Sequence, residues 1–121
     1  MDEEVTRTRA AAVLRRAGAY FGFMFGARAP GGQPRPGSDL DVAAYWTVSP
    51  PNAWDVLLPE GVDLLVLNTA PLELAGAIAL HGDLLFETDP TARVRWVATT
   101  RKIWLDEKPR FERAHREFLE A

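Results

Sequence analysis

Two aspartates, Asp39 and Asp41, stand two positions apart and directly follow Ser38 in this 121-residue chain. On an extended strand, residues two apart point to the same face, so the two carboxylates would lie close together. Such like charges repel each other unless a cation lies between them. Because Mg²⁺ and Mn²⁺ prefer oxygen ligands, the pair predicts a divalent metal site. The alternative is a solvent-facing strand start, where aspartate is common.

A third aspartate, Asp63, stands near the start of an apolar run from Val62 to Asn68. This run predicts a strand in the middle of a sheet, where an unpaired charge would be costly. Asp63 is therefore either functional or an exposed residue at a strand end. Three carboxylates on neighbouring strands commonly hold two metal ions in phosphoryl or nucleotidyl transfer.

The segment from Gly26 to Gly37 contains four glycines and three prolines, which predicts a loop. The backbone N–H groups of such a loop can approach phosphate oxygens closely, and Arg28 and Arg35 would contact the phosphates. The chain has neither a Gly-x-Gly-x-x-Gly motif nor a Gly-Lys-Ser/Thr motif. This excludes the ordinary dinucleotide-binding and P-loop folds.

Composition limits the possible partners and surroundings. The net charge is −3, and the stretch from Asp41 to Ala92 has eight acidic residues but no Lys or Arg. This pattern argues against a broad nucleic-acid interface. The chain has no Cys, which excludes disulfides and cysteine-based metal sites or nucleophiles. No apolar run reaches the roughly 20 residues that span a bilayer, and the acidic N-terminus is unlike a signal peptide. We therefore expect a cytoplasmic protein with no membrane partner.

Periodicity and turn residues predict the elements that would position these side chains. The predicted strands cover 19–25, 40–46, 62–68 and 84–86, and the predicted helices cover 4–18, 71–81 and 89–105, with a further helix after Pro109 and one or two helical turns within 52–58. This order predicts an α/β (α+β) fold with a small mixed sheet flanked by helices, in a single domain over residues 1–121.

Other chemically interesting side chains lack the context for catalysis. His81 and His115 stand alone without metal-ligand spacing and are expected at the surface, and no motif gives Ser49 a histidine partner. Trp54 is expected to be a core or loop anchor. The long helix carries apolar side chains on more than one face, which indicates either core packing or a partner-binding surface; they include Trp96, Ile103 and Trp104.

Three motifs together resemble the minimal nucleotidyltransferases (MNT proteins) of the DNA polymerase beta-like superfamily. They are Gly26-Ala27-Arg28, Ser38-Asp39-Leu40-Asp41 and Val62-Asp63-Leu64. The later runs 62–71, 82–87 and 89–94 also resemble MNT antitoxins of HEPN/MNT toxin–antitoxin systems. The resemblance covers roughly residues 10 to 110.

The resemblance implies a polymerase beta-like nucleotidyltransferase fold and a protein adenylyltransferase. Such an enzyme uses ATP and Mg²⁺ (or Mn²⁺) to attach AMP to a tyrosine of a HEPN-domain toxin, in a homo- or hetero-oligomer. By position, Asp39, Asp41 and Asp63 would be the catalytic metal ligands, with Asp63 also a base for the tyrosine hydroxyl. The resemblance further implies that the nucleotide-binding positions are Gly26, Ala27, Arg28 and Ser38, the last as a turn or capping residue.

Ala27 departs from the family pattern, which has a serine after the first glycine. A missing phosphate hydrogen bond costs about 1–3 kcal/mol, which weakens ATP binding without abolishing it. The alternative function is therefore a catalytically degenerate antitoxin that neutralises its HEPN partner by binding alone.

Overall fold

The computed structural model describes residues 3–26 and 40–120 of the chain. In chain order the elements are α1 (Glu3–Arg16), β1 (Phe21–Phe25), β2 (Leu40–Tyr45), β3 (Val62–Val66), α2 (Leu72–His81), β4 (Asp83–Glu87) and α3 (Pro90–Glu120), with short 3-10 turns at Ala53–Asp55 and Leu67–Thr69. All four predicted strands are present. Within these residues, no helix has both the length and the apolar character needed to cross a membrane.

The four strands form one mixed sheet in the order β3-β2-β1-β4. β1 pairs antiparallel with β2 and β4, whereas β2 and β3 run parallel. The prediction that β3 is a central strand is therefore wrong, because β3 lies at an edge. Its apolar side chains nevertheless pack on both faces of the sheet. Val62 and Leu64 pack against one core cluster and Leu65 packs against the other.

The two faces of the sheet are covered by different helices. On one face, Leu14 of α1 packs with Val42 and Trp46. On the other face, Ile78 of α2 and Trp96 of α3 pack with the aromatic side chains of β1. This α+β arrangement, with helices on both faces of a small mixed sheet, confirms the predicted fold class. Because β1 is covered on both sides, it anchors the strand end that leads into the glycine-rich segment.

Helix α3 is one continuous helix that contains Pro109. The prediction of a helix end near Leu105 and a separate helix after Pro109 is therefore wrong. A proline deprives the carbonyl four residues earlier, here that of Leu105, of its N–H partner. Leu105 and Pro109 are both exposed, so water can bind this carbonyl and the helix continues.

Asn68 links the two strands that carry Asp41 and Asp63. Its side-chain oxygen accepts a hydrogen bond from the backbone N–H of Trp46 at 3.0 Å. Its side-chain nitrogen donates to the carbonyl of Trp46 at 2.5 Å. The Asn68 side chain thereby satisfies both backbone hydrogen-bonding groups of Trp46, as a paired residue of a neighbouring strand would, at the point where β2 and β3 end.

We expect Asn68→Ala to lower the free energy of unfolding by about 1–2 kcal/mol, because it leaves two partly buried backbone groups of Trp46 without their partner. Urea unfolding followed by circular dichroism measures this change. Asn52→Ala is the matched control, because Asn52 makes one exposed hydrogen bond to Asp55 at 3.3 Å. We expect it to change stability by less than about 0.5 kcal/mol. Equal effects of the two variants would contradict a structural role for Asn68.

Candidate active site

Asp41 and Asp63 lie side by side at one end of the sheet. They are direct partners in the parallel register of β2 and β3, and adjacent strands are about 4.8 Å apart. Register partners point to the same face, so both carboxylates extend from the face that α2 and α3 cover. Asp41 is 6% exposed, whereas Asp63 is exposed. One carboxylate is thus held within the protein, and its neighbour is open to an incoming molecule.

A backbone hydrogen bond holds the two acid-bearing strands in this register. The N–H of Leu40, the first residue of β2, donates to the carbonyl of Gly61 at 3.1 Å. Gly61 directly precedes β3. The bond therefore fixes the starting ends of both strands, one residue before Asp41 on one strand and two residues before Asp63 on the other.

Gly26 follows β1 and packs against the carboxylate of Asp41. Its φ of +103° lies in the left-handed region that favours glycine. A Cβ atom at this position would lie 3.0 Å from Cγ of Asp41 and would overlap its Oδ2. Only glycine therefore lets the backbone pass this close to Asp41. Gly26 is the first residue of the glycine-rich segment, and β2 begins at Leu40 shortly after the segment ends, so the chain enters and leaves this segment beside the carboxylate pair.

Several predicted site residues lie outside the described residues, namely Ala27, Arg28, Arg35, Ser38 and Asp39. Their roles stay predictions. Within residues 3–26 and 40–120, no three His, Asp or Glu side chains form a group that could hold a metal ion. The predicted third metal ligand is Asp39.

The described carboxylates fit a hard divalent cation. Asp41 and Asp63 supply oxygen ligands from paired positions, and oxygen is the ligand type that Mg²⁺ and Mn²⁺ prefer. Asp41 and Asp63 could therefore act as metal ligands, and the metal site stays a prediction.

The structure places the other sequence candidates away from this carboxylate pair or at the surface. His81 and His115 are exposed, as predicted. Trp96 and Trp104 belong to the core: the Trp96 ring lies 5.7 Å from that of Phe21, and Trp104 is 8% exposed. Of the two alternatives for the long helix, core packing is confirmed for these two tryptophans.

Trp54 was expected to be an anchor of the core or of a loop, and this expectation is wrong, because its side chain is 79% exposed. Its neighbours Ala53 and Val56 pack against the core beside β3. In the tight turn that carries it, these two smaller side chains face inward. The indole of Trp54 is therefore left at the surface.

An open groove of about 500 Å³ runs beside the edge strand β3. We call it the β3 groove. Its lining includes Trp54, Val56, Leu57, Leu58, Asp63 and Leu64. Apart from Asp63, these side chains are apolar or aromatic. Secondary-structure patterns do not predict this groove. Its one signal in the sequence is a cluster of apolar residues after Pro50-Pro51, outside any predicted strand or long helix.

Known proteins resemble this chain in three-dimensional structure, whereas comparisons of sequence find no match. No protein-family model matches the chain, and no curated protein matches it in sequence. Among solved structures, a toxin–antitoxin complex with AMP-PNP contains a chain that is 19% identical, with a TM-score of 0.72 over 95% of this chain and 98% of that one. A chain in an MntA–HepT toxin–antitoxin complex is 18% identical, with a TM-score of 0.73 over 98% and 100% of the two chains.

A third complex contains a tri-AMPylated HEPN toxin from Shewanella oneidensis with an MNT antitoxin. The matching chain is 17% identical, with a TM-score of 0.63 over 94% of this chain and 99% of that one. In all three comparisons the alignment spans nearly the whole of both chains. The chain therefore has the same fold as the matching chains of these three toxin–antitoxin complexes, in agreement with the fold that the resemblance implies.

Proposed function

We propose that this protein is a minimal nucleotidyltransferase antitoxin that transfers AMP from ATP to a tyrosine of a HEPN-domain toxin. The observation that carries the proposal is the pairing of Asp41 with Asp63 at the strand ends where the glycine-rich segment is attached. The similar folds of chains in complexes with AMP-PNP and with an AMPylated HEPN toxin support it.

The position of each residue indicates its role in the proposed reaction. Gly26 lets the backbone run against Asp41, and we assign the triphosphate of ATP to the glycine-rich segment that starts at this residue. Asp39, Asp41 and Asp63 would hold one or two Mg²⁺ or Mn²⁺ ions, which neutralise the charge on the phosphates when bound. Asp41 is fixed by burial and register, which keeps its oxygens in place during the reaction.

The proposed reaction is a single in-line displacement at the α-phosphorus of ATP. The tyrosine hydroxyl oxygen forms a bond to this phosphorus, the bond from the phosphorus to the oxygen that bridges to the β-phosphate breaks, and pyrophosphate leaves. The proton of the hydroxyl passes to the carboxylate of Asp63, which is exposed and therefore within reach of an incoming side chain.

Intact-mass spectrometry of the HEPN partner tests this proposal. We expect incubation with this protein, ATP and Mg²⁺ to raise the mass of the partner by whole AMP units, because the carboxylate pair and the glycine-rich segment provide the parts needed for nucleotidyl transfer. Omission of ATP or addition of a chelator is the control and should abolish the gain. A partner that keeps its mass at saturating ATP and metal would contradict the proposal.

Ala27 favours a second candidate, an antitoxin that acts by binding alone. At this position the chain lacks the hydroxyl that the family pattern provides for a phosphate. This candidate predicts that the HEPN partner is inhibited in a complex that forms without ATP. Inhibition that strictly requires ATP and a divalent metal would exclude it.

A further inference from the structure

We propose that the β3 groove binds the segment of the partner protein that carries the acceptor hydroxyl. This inference rests on the proposed function and adds to it the place where the protein substrate binds. Asp63 is one of the residues that line the groove, so a segment bound along the outer edge of β3 lies beside the carboxylate pair.

The topology of the sheet separates the nucleotide side of the site from this groove. Gly26 and the glycine-rich segment are attached at β1 and β2, whereas Asp63 lies one strand further out, at the sheet edge. In-line displacement places the attacking oxygen and the leaving pyrophosphate on opposite sides of the α-phosphorus. In the proposed reaction the triphosphate is on the β1 side of Asp41, which leaves the β3 edge, along which the groove runs, for the acceptor.

The charge around the groove suits a protein segment and not a polyphosphate. The stretch from residue 41 to 92, which includes the whole lining, has no Lys or Arg. The same chain segments carry Asp55 and Glu60, both exposed. Phosphates would be repelled from this surface, whereas basic side chains on either side of an apolar or aromatic acceptor residue would be attracted.

The groove also exposes large apolar side chains beside the site. Trp54 is 79% exposed and Leu57 is 85% exposed. Exposed tryptophans at the edge of a concave surface are frequent energetic centres of protein interfaces. A volume of about 500 Å³ is also in the range of sites that hold large side chains or small ligands. We therefore identify the occupant as an apolar segment that carries an aromatic hydroxyl and has basic neighbours.

Kinetics with Trp54→Ala and Leu57→Ser test this proposal. We expect each variant to raise KM for the acceptor protein about tenfold or more, because each removes an apolar contact with the acceptor segment. KM for ATP should change less than about twofold. Val48→Ser is the matched control, because Val48 is 75% exposed but does not line the groove. Both KM values should stay at the wild-type level in this control, and thermal unfolding checks that all three variants are folded.

Other results would overturn the proposal. If Trp54→Ala raised KM for ATP and left KM for the acceptor unchanged, the groove would hold the adenine of the nucleotide. If neither constant changed, the groove would have no role in binding. Failure of the wild-type protein to transfer AMP would reject the proposed function separately. Calorimetry without nucleotide would then test whether the groove binds the partner. A tenfold loss of affinity for the partner in Trp54→Ala would support binding in the groove, and an unchanged affinity would reject it.

Discussion

Asp41→Asn is expected to lower the rate of AMP transfer about a thousandfold while the protein stays folded. Asparagine has nearly the shape of aspartate, so the 6% exposed position can hold it without a change of volume. In the proposed mechanism, the substitution removes a negative charge that would hold a divalent cation against the triphosphate. Charge stabilisation of this kind contributes several kcal/mol to the transition state, and about 4 kcal/mol corresponds to a thousandfold change in rate.

The matched control is Asp83→Asn, on the opposite edge strand of the sheet. Asp83 is exposed, and β4 is separated from β2 by β1. Single-turnover transfer assays with both variants, together with thermal unfolding curves, measure the difference. Transfer that persists at the wild-type rate in folded Asp41→Asn would show that Asp41 takes no part in the chemistry.

Gly26→Ala is expected to lower the transfer rate about a hundredfold and also to destabilise the protein. A non-glycine residue in the left-handed region costs about 1–2 kcal/mol. In addition, the new Cβ atom would overlap the carboxylate of Asp41 and push it away from its position in the site. Displacement of a catalytic group by about 1 Å can cost about a hundredfold in rate.

Gly18→Ala separates the backbone effect from the effect on the carboxylate. Gly18 also has a positive φ, of +92°, but a Cβ atom there would meet only the ring of Trp46 at an ordinary 3.9 Å. We expect a loss of stability from the strained backbone and wild-type kcat in the folded fraction. Urea unfolding and kcat, measured on both variants, provide the comparison. An equal loss of kcat in both would indicate a general loss of structure instead of a specific contact with Asp41.

Local sequence patterns were sufficient to predict the four strands. Residues two apart on a strand share a face, and proline and glycine interrupt helices and strands, so the positions of the four strands followed from the chain. The position of Gly26 at the end of β1 also followed, because a glycine after an aromatic strand is typical of a tight change of direction. These features depend on near neighbours along the chain.

The expectations that were wrong depended on contacts between distant segments. An apolar run predicts a buried strand, but β3 is an edge strand whose apolar side chains are covered by the segment that contains Ala53 and Val56. The aromatic character of Trp54 predicts burial, but the turn that carries it presents two smaller side chains to the core. Pro109 predicts a helix end, but the helix continues through it at a place where Leu105 and Pro109 are both exposed to water.

The sequence by itself determined the features on which the proposed chemistry rests: the spacing of the aspartates, the glycine-rich segment between two strands and the absence of basic residues from 41 to 92. Only the tertiary structure decided that Asp41 and Asp63 are register partners, that Gly26 lies against Asp41 and that an apolar groove adjoins Asp63. The physical reason is that periodicity specifies the apolar face of each element. Which elements become neighbours depends on packing and hydrogen bonds between residues far apart in the chain.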